Sequence, residues 1–404
     1  MVDSILGIGI KNNLDYIYIN AIKNINETKN KNKDIIVLSI DINSGLNSDT
    51  GLGDVVVKSD MTLSIGVFKL GHFLNMAKDY IKNKINLDIG IELIDESYKV
   101  VEFEDIIKMF DKRKNFSHKG SFGKVCLFGG SLEYSGAIQL SNMALSSLKS
   151  GVGLTTIAVP RFLADVVIKN ILESTLFLID SNDDEIIFNR ENIDVLMDNY
   201  DVITFGMGVG RSIGAKEILY YLLENYSKKL VIDADGLFVL SQNINLLKKS
   251  KAKIVLTPHL KEFERLYNSY RKSIGDFKKY TVLDILNNQI EFVLNFCKYY
   301  DVVLLLKGTT SLIVENKQIT LVDRGTKGMA TAGSGDVLSG IVTGLLGYFH
   351  NVYNAVVASA FINGMAGEFA SREMSNFSQI ASDTVKFIPK VFKKIEDVLN
   401  DETN

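Results

Sequence analysis

This sequence of 404 residues predicts an α/β protein built on a mostly parallel sheet with helices on both faces, and three observations carry that reading. Short runs rich in β-branched and other apolar residues recur along the chain. Each ends in a glycine or polar turn, and helical periodicity follows the turn. The runs are DIIVLSID (34–41), KVCLFGG (124–130), GLTTIAVP (153–160), VITFGMG (202–208), KLVIDADG (229–236), KIVLTP (253–258) and DVVLLLKG (301–308). Folds of this kind take ligands at the carboxyl ends of their strands, so the chemistry belongs in the turns that close these runs.

Composition narrows the partners. Lys and Arg number 45 against 48 Asp and Glu, a formal charge of −3 with a pI near 5.9. No broad basic field exists for nucleic acid or an anionic membrane, so any phosphate must be held locally by loops. Cys126 and Cys297 are too few for a disulfide framework and not spaced as metal ligands, which fits core thiols in a reducing cytoplasm. The opening MVDSILGIGI lacks a basic region and a cleavage site, so it is not read as a signal peptide and a cytoplasmic location is expected. The longest uncharged stretch, Val337 to Asn351, is short for a membrane span and interrupted by Gly340, Gly344 and Gly347; it predicts a buried helix.

The charge-dense segment Glu96 to Ser117 places a boundary between two unequal α/β blocks, giving a front domain over 1–95, a linker over 96–117 and a larger domain over 118–398. NETKNKNKD (26–34) reads as a polar loop, and the tail after Pro389 as a surface helix.

Within the larger block, ATAGSGDVLSGIVTGLLG (330–347) opens a helix from a Gly333-Ser334-Gly335 turn, so free backbone N–H groups converge on one point. Asp336 at that mouth is either a helix cap or a base taking a proton from a hydroxyl. The glycines of GMGVG (206–210) suit a tight turn or a close ligand approach. SHKGSFGKVCLFGGSLEYSGA (117–137) is a glycine-rich lead into a strand and then a helix starting near Ala137; no Walker-type phosphate loop occurs anywhere. His259 in TPHLKEFERL either caps a helix or hydrogen-bonds a polar ligand group. Lys307, ending the apolar strand of LLLKGTTS, calls for an anionic partner, read here as a phosphate or nucleotide. Asp233 and Asp235 in IDADG serve as turn formers or as an indirect magnesium site. Together these turns describe a crevice with an anion hole, a carboxylate, a lysine and a histidine, a set suited to phosphoryl transfer onto a hydroxyl.

The motifs HKGSFGKV, YSGA, DADGL, TPHLKEFERL, LKGTTS and MATAGSGDVLSGI, in this order, resemble the NAD(P)H-hydrate dehydratase family of the ribokinase-like superfamily over nearly all of the larger domain. The resemblance implies a ribokinase-like sheet and a repair reaction, in which a hydrated nicotinamide cofactor loses water at the expense of ADP, released as AMP and phosphate, with ATP the less favoured donor and magnesium present. It implies Asp336 as the catalytic residue and a substrate contact. Ala137, Gly208, Gly210 and His259 are further implied substrate contacts. Lys307, Gly308, Thr309, Thr310 and Ser311, with Gly333, Ser334 and Gly335, would line the nucleotide site. The implied partner is NAD(P)H hydrate, with neither nucleic acid nor membrane, and the chain is expected to be a homo-oligomer.

VDSILGIGI, SIDINSGLNSDTG, GVFKLG and DIGI likewise resemble the companion NAD(P)H-hydrate epimerase domain, a Rossmann-like α/β unit. That likeness implies potassium at Asp3 and Ser44 and substrate at Asp41, Gly7 and Gly9. Met207 and Asn43 stand where the two family patterns carry proline. The family's Asn- and Gly-rich substrate loop lies upstream of the equivalent of Asp3, so the front domain is expected to be truncated and without epimerase activity. Two other readings compete: a different ribokinase-like small-molecule kinase, and a nucleotide-binding scaffold without activity.

Overall fold

All seven apolar runs become strands. The computed structural model describes residues 1–10, 14–90, 98–112, 122–148 and 152–401. The chain divides into one unit of Met1–Ser97 with Leu283–Ile290 and Gly308–Thr310, and a second unit holding the remainder.

In the first unit β1 (Val2–Asp3), β2 (Leu38–Ile40), β3 (Met61–Ile65) and β4 (Lys84–Leu87) form a parallel sheet in that order. The helix Tyr16–Lys31 covers much of the segment expected to be a polar loop. Ile22 is fully buried against Val37 and Val57, and Asn26 clamps an extended stretch by donating Nδ2 to Val56 O (2.9 Å) while its Oδ1 accepts from Lys58 N (2.9 Å). Tertiary partners therefore override the polar composition.

The second unit contains β5 (Tyr98–Val100), β6 (Lys124–Phe128), β7 (Leu154–Pro160), β8 (Thr175–Ile179), β9 (Val202–Phe205), β10 (Lys229–Ile232), β11 (Lys253–Leu256), β12 (Val303–Leu306), β13 (Ser311–Glu315) and β14 (Gln318–Val322). They make one sheet, ordered β5-β14-β13-β12-β11-β10-β9-β6-β7-β8. From β12 to β8 every pairing is parallel; β13 and β14 are an antiparallel hairpin added to one side. Part of the segment expected to link two domains is built in: Tyr98–Val100 pairs with β14, and Phe103–Ile107 is a short helix. Residues 96–97 and 113–117 of that segment, and 118–121 of the HKGSFGKV motif, lie outside the described residues.

The helix Ser334–Tyr348 runs through the core, with every residue from Val337 to Leu346 buried, as its uncharged sequence requires. The tail is not a plain surface helix: Ala381–Asp401 carries Pro389 inside it and buries Val385, Ile388, Val391 and Ile395. Both thiols are buried, and burial pushes their pKa up, so neither is a reactive nucleophile. Among the described residues no helix is long and apolar enough to cross a membrane.

Candidate active site

Four neighbouring strands of the second unit deliver the site. β9 ends in the Gly206–Gly210 turn, β10 in Asp233, β11 in Pro258 and His259, and β12 in Lys307. The last two turns are zipped together, Lys307 N donating to Pro258 O at 2.8 Å.

Lys307 finds its anion within the protein. Its Nζ donates to Asp233 Oδ1 at 2.9 Å and stands 3.8 Å from Glu262 Oε2. The second Asp233 oxygen accepts from Ser339 Oγ at 2.6 Å. Burial alone would push Asp233 up and Lys307 down. Their mutual attraction prevails, holding Asp233 below and Lys307 above their ordinary values. A fixed ammonium thus stands at the end of a fully apolar strand. Ala234 between the two aspartates sits at φ 47°, a strained value for a residue with a Cβ. Beyond it Asp235 secures the neighbouring turn, accepting from Gly210 N (3.1 Å) and Arg211 Nε (3.0 Å). The first reading of Asp235, turn chemistry, describes what it does.

Asp336 lies in the first turn of Ser334–Tyr348 without capping it; the N-cap is Gly333, at φ 88°, and no side chain caps the helix. The Gly335 and Asp336 N–H groups of that first turn are therefore left for an anion, with the helix dipole behind them. Ser334 is spent twice, its Oγ donating to Met329 O (2.7 Å) and its N to Thr331 O (3.3 Å), so the turn's offer to an anion comes from Gly335 and Asp336. Burial, reinforced by the negative charge of Asp233 and only partly offset by Lys307, pushes Asp336 up to about 7. A carboxyl poised there exchanges protons at neutral pH.

His259 takes the first of its two readings, the helix cap. Its Nδ1 accepts from Lys261 N (3.1 Å) and Glu262 N (3.3 Å), capping the helix Leu260–Ser273, while Glu262 accepts from His259 N (2.8 Å). Burial and the nearby Lys307 hold the imidazole below its ordinary value. With Nδ1 accepting, the neutral ring carries its proton on Nε2, a donor.

Ala137 and Gly208 come together: a Cβ on Gly208 would stand 3.1 Å from that of Ala137 and 2.6 Å from that of Tyr134. Ser141, one turn along the helix Ser135–Ser147, donates Oγ to Asp336 O at 2.9 Å. Met207 is fully buried, so where the family pattern has proline this chain has a core residue. Gly308–Thr310 group with the first unit, where Thr310 Oγ1 donates to Phe73 O (2.6 Å) and Thr309 Oγ1 to Asn75 O (2.8 Å), so both hydroxyls are engaged. Ser311 opens β13.

In the first unit, fully buried Asp3 accepts from Ser44 Oγ (2.6 Å), Ser44 N (2.9 Å) and Ser39 Oγ (2.8 Å). Asp41, at φ 66°, is paired with Lys69 and accepts from Ile65 N (3.1 Å); burial pushes it up, but these partners hold it below the usual carboxylate range. Asn43 is buried and donates Nδ2 to Val57 O (2.8 Å) and Ser59 Oγ (3.0 Å), so it braces its turn by hydrogen bonds. Nothing stands within 4 Å of a Cβ added to Gly7 or Gly9.

Sequence reasoning misses Glu262, Ser339 and Ser141. The three-residue spacing of His259 and Glu262, a capping-box pattern, is the available signal for the first; nothing in the sequence marks the other two.

Comparison with known proteins shows the family. A family model described as NAD(P)H-hydrate dehydratase matches residues 125–390, and one described as YjeF-related protein N-terminus matches residues 1–71. The bifunctional NAD(P)H-hydrate repair enzyme Nnr of Dictyoglomus turgidum is 30% identical over 410 residues, covering 98% of this chain and 75% of the relative. That of Moorella thermoacetica is 29% identical, covering 98% and 73%. Among solved structures, the ADP/ATP-dependent NAD(P)H-hydrate dehydratase of Bacillus subtilis, co-crystallised with ATP and Mg2+, superposes with a TM-score of 0.61 at 21% identity, over 74% of this chain and 99% of that one. A ribokinase-like superfamily protein of Enterococcus faecalis gives 0.59 at 23% identity, over 76% and 99%. At these identities the structural likeness establishes the fold.

Proposed function

From the premise that the chain belongs to the family of bifunctional NAD(P)H-hydrate repair enzymes, we propose that its second unit is a hydro-lyase that dehydrates the S epimer of NAD(P)H hydrate with ADP as phosphoryl donor. The observation that carries this reading is Asp336, a carboxyl poised near neutrality at the mouth of an uncapped helix and beside a fixed lysine.

In the first step the ionised Asp336 takes the proton of the ring hydroxyl as that oxygen bonds to the terminal phosphorus of ADP, whose bond to the bridging oxygen breaks and leaves AMP. The N–H groups of Gly335 and Asp336 hold the phosphoryl oxygens, and Lys307 supplies positive charge where negative charge gathers. In the second step the ring C–O bond of the new phosphate ester breaks, phosphate leaves with the electron pair, the adjacent ring carbon gives its proton to the departing phosphate, and the double bond returns. His259 offers Nε2–H to a carbonyl or hydroxyl of the substrate, and the close approach of Gly208 to Ala137 shapes the wall against which the substrate packs.

Magnesium would enter with the nucleotide, as the ion co-crystallised with ATP in the Bacillus subtilis dehydratase suggests, and not on a resident cluster of side chains. Among the described residues no three His, Cys, Asp or Glu side chains converge to hold a metal, and Asp233 spends both oxygens on Lys307 and Ser339. In the first unit Asp3 and Ser44 meet as the oxygen donors a hard cation takes, so they are the residues that would hold potassium. This unit is assigned no epimerase turnover, because its Asp41 carboxylate is already engaged by Lys69 and Ile65 N.

The test is recovery of reduced-cofactor absorbance when the purified chain meets hydrated NADH with ADP or ATP and magnesium. Recovery with ADP, confined to the S-epimer fraction, is expected. Full recovery of an epimer mixture overturns the assignment for the first unit. A stable phosphorylated product in place of recovery favours a small-molecule kinase.

A further inference from the structure

Alongside the helix Leu260–Ser273 runs a cleft of about 390 Å³ that the reaction above does not use. Lys261, Arg265, Lys278 and Lys279 line it against one carboxylate, Glu264, and that carboxylate is taken by Lys261 at 2.7 Å. Arg265, Lys278 and Lys279 make no ion pair among the described residues. In a chain whose overall charge is −3, this concentration of unneutralised cations asks for an anion.

The cleft also has an aromatic wall. Phe277 is 77% exposed, yet its loop is pinned. Asp276 accepts from Arg271 Nε (2.8 Å), Lys278 N (2.9 Å) and Tyr280 OH (2.9 Å). Asn268 exchanges two 2.8 Å hydrogen bonds with the backbone of Tyr280. A bare ring held out on a braced loop beside three cations without a carboxylate is a platform for a flat, phosphate-bearing ligand: stacking holds the base and the cations hold the phosphate.

Position says which one. At 1.5 Å of rise per residue, Arg265 and Asn268 lie about 9 and about 14 Å along the helix from His259. Arg265, stacked 4.9 Å from the Phe238 ring centre, is close enough for its charge to act on His259 and Glu262. The cleft thus lies within about 9–14 Å along one helix of the residue assigned to the substrate ring, while the phosphoryl donor is assigned to Lys307 and the Gly333 turn. We propose that this cleft receives the adenosine end of the dinucleotide substrate, and that Arg265, Lys278 and Lys279 bind a phosphomonoester on its ribose, making the chain selective for the 2′-phosphorylated hydrate. The inference rests on the dehydratase reading for its substrate.

Calorimetry on the full chain tests it without turnover, using adenosine 2′,5′-bisphosphate and adenosine 5′-monophosphate as probes. The bisphosphate should bind about tenfold more tightly, the worth of one or two charge-assisted hydrogen bonds. Lys278→Ala/Lys279→Ala should erase most of that preference and lower by a similar factor the ratio of kcat/KM for phosphorylated over unphosphorylated hydrate. Equal binding of the two probes by a chain that dehydrates normally overturns the inference and leaves the dehydratase reading intact. Tight bisphosphate binding, lost in the variant, by a chain that dehydrates neither hydrate does the reverse. A variant with an unchanged ratio but a raised KM for ADP overturns it by giving the cleft to the donor.

Discussion

Replacing Asp336 by asparagine separates what the carboxyl does for catalysis from what it costs the fold. With its pKa near 7, the wild-type carboxyl is half ionised at pH 7 and about 1% ionised at pH 5, so turnover limited by this base falls about fiftyfold between the two. A carboxyl at its ordinary value of 3.8 would leave the rate almost flat over that range. The Asp336→Asn variant has no base to offer, and its turnover should fall by about two to four orders of magnitude at every pH. Stability moves the other way. The folded state raises this pKa, so it prefers the protonated form: the favourable contribution is complete below about pH 4 and disappears as pH rises through 7. By pH 8 the ionised group costs up to about 4 kcal/mol relative to a neutral one, from a shift of about three units. Asp336→Asn should therefore melt several degrees higher than wild type at pH 8 and at the same temperature near pH 4. The assays are absorbance recovery of hydrated NADH across pH 5–8 and thermal denaturation at the two extremes. A wild-type rate in the variant, a kinetic limb near pH 4, or no gain in melting temperature at pH 8 would refute the reasoning.

Other perturbations follow from the same geometry. Gly333→Ala forces a Cβ to 2.5 Å from Leu140 Cδ1 at a left-handed backbone angle and should destabilise the second unit by about 1–3 kcal/mol in chemical denaturation. At Gly335 an added Cβ meets only Lys307 Nζ, at 3.5 Å, so Gly335→Ala should keep full stability while raising the KM for ADP; loss of folding instead would contradict this. His259→Asn keeps a capping acceptor but removes the Nε2 donor, and should raise the KM for the hydrate with little change in melting temperature, whereas His259→Ala also forfeits about 1 kcal/mol of cap. Lys307→Met strands the buried Asp233 and should cost about 3–5 kcal/mol; a variant as stable as wild type would show that the pair is not the anchor described.

The parallel centre of the large sheet was legible because each strand there is buried on both faces and reads as a continuous apolar run. The hairpin of β13 and β14 was not, although SLIVENKQITLV carries a turn at Asn316, which adopts φ 53°, between two alternating stretches. The Tyr16–Lys31 helix was hidden by its polar composition, since what fixes it is Asn26 bonding to residues thirty positions away. In the site, Asp336, His259 and Lys307 were visible from their motifs. The partner of Lys307 was not: Asp233 lies on a different strand 74 residues earlier, and only the parallel register brings the two ends together.

The glycines that interrupt the uncharged stretch carry a further consequence. At Gly340 a Cβ would collide with the backbone carbonyl of Ser141, and at Gly344 with the side chain of Leu148, so the helix bearing Asp336 and the helix bearing Ala137 touch almost backbone to backbone. There is no slack in that seam for a larger residue to take up. Anyone evolving the chain toward bulkier hydrated cofactors should leave Gly340 and Gly344 untouched and randomise the loops at the strand ends, where new shapes can be explored while the proton acceptor stays in register.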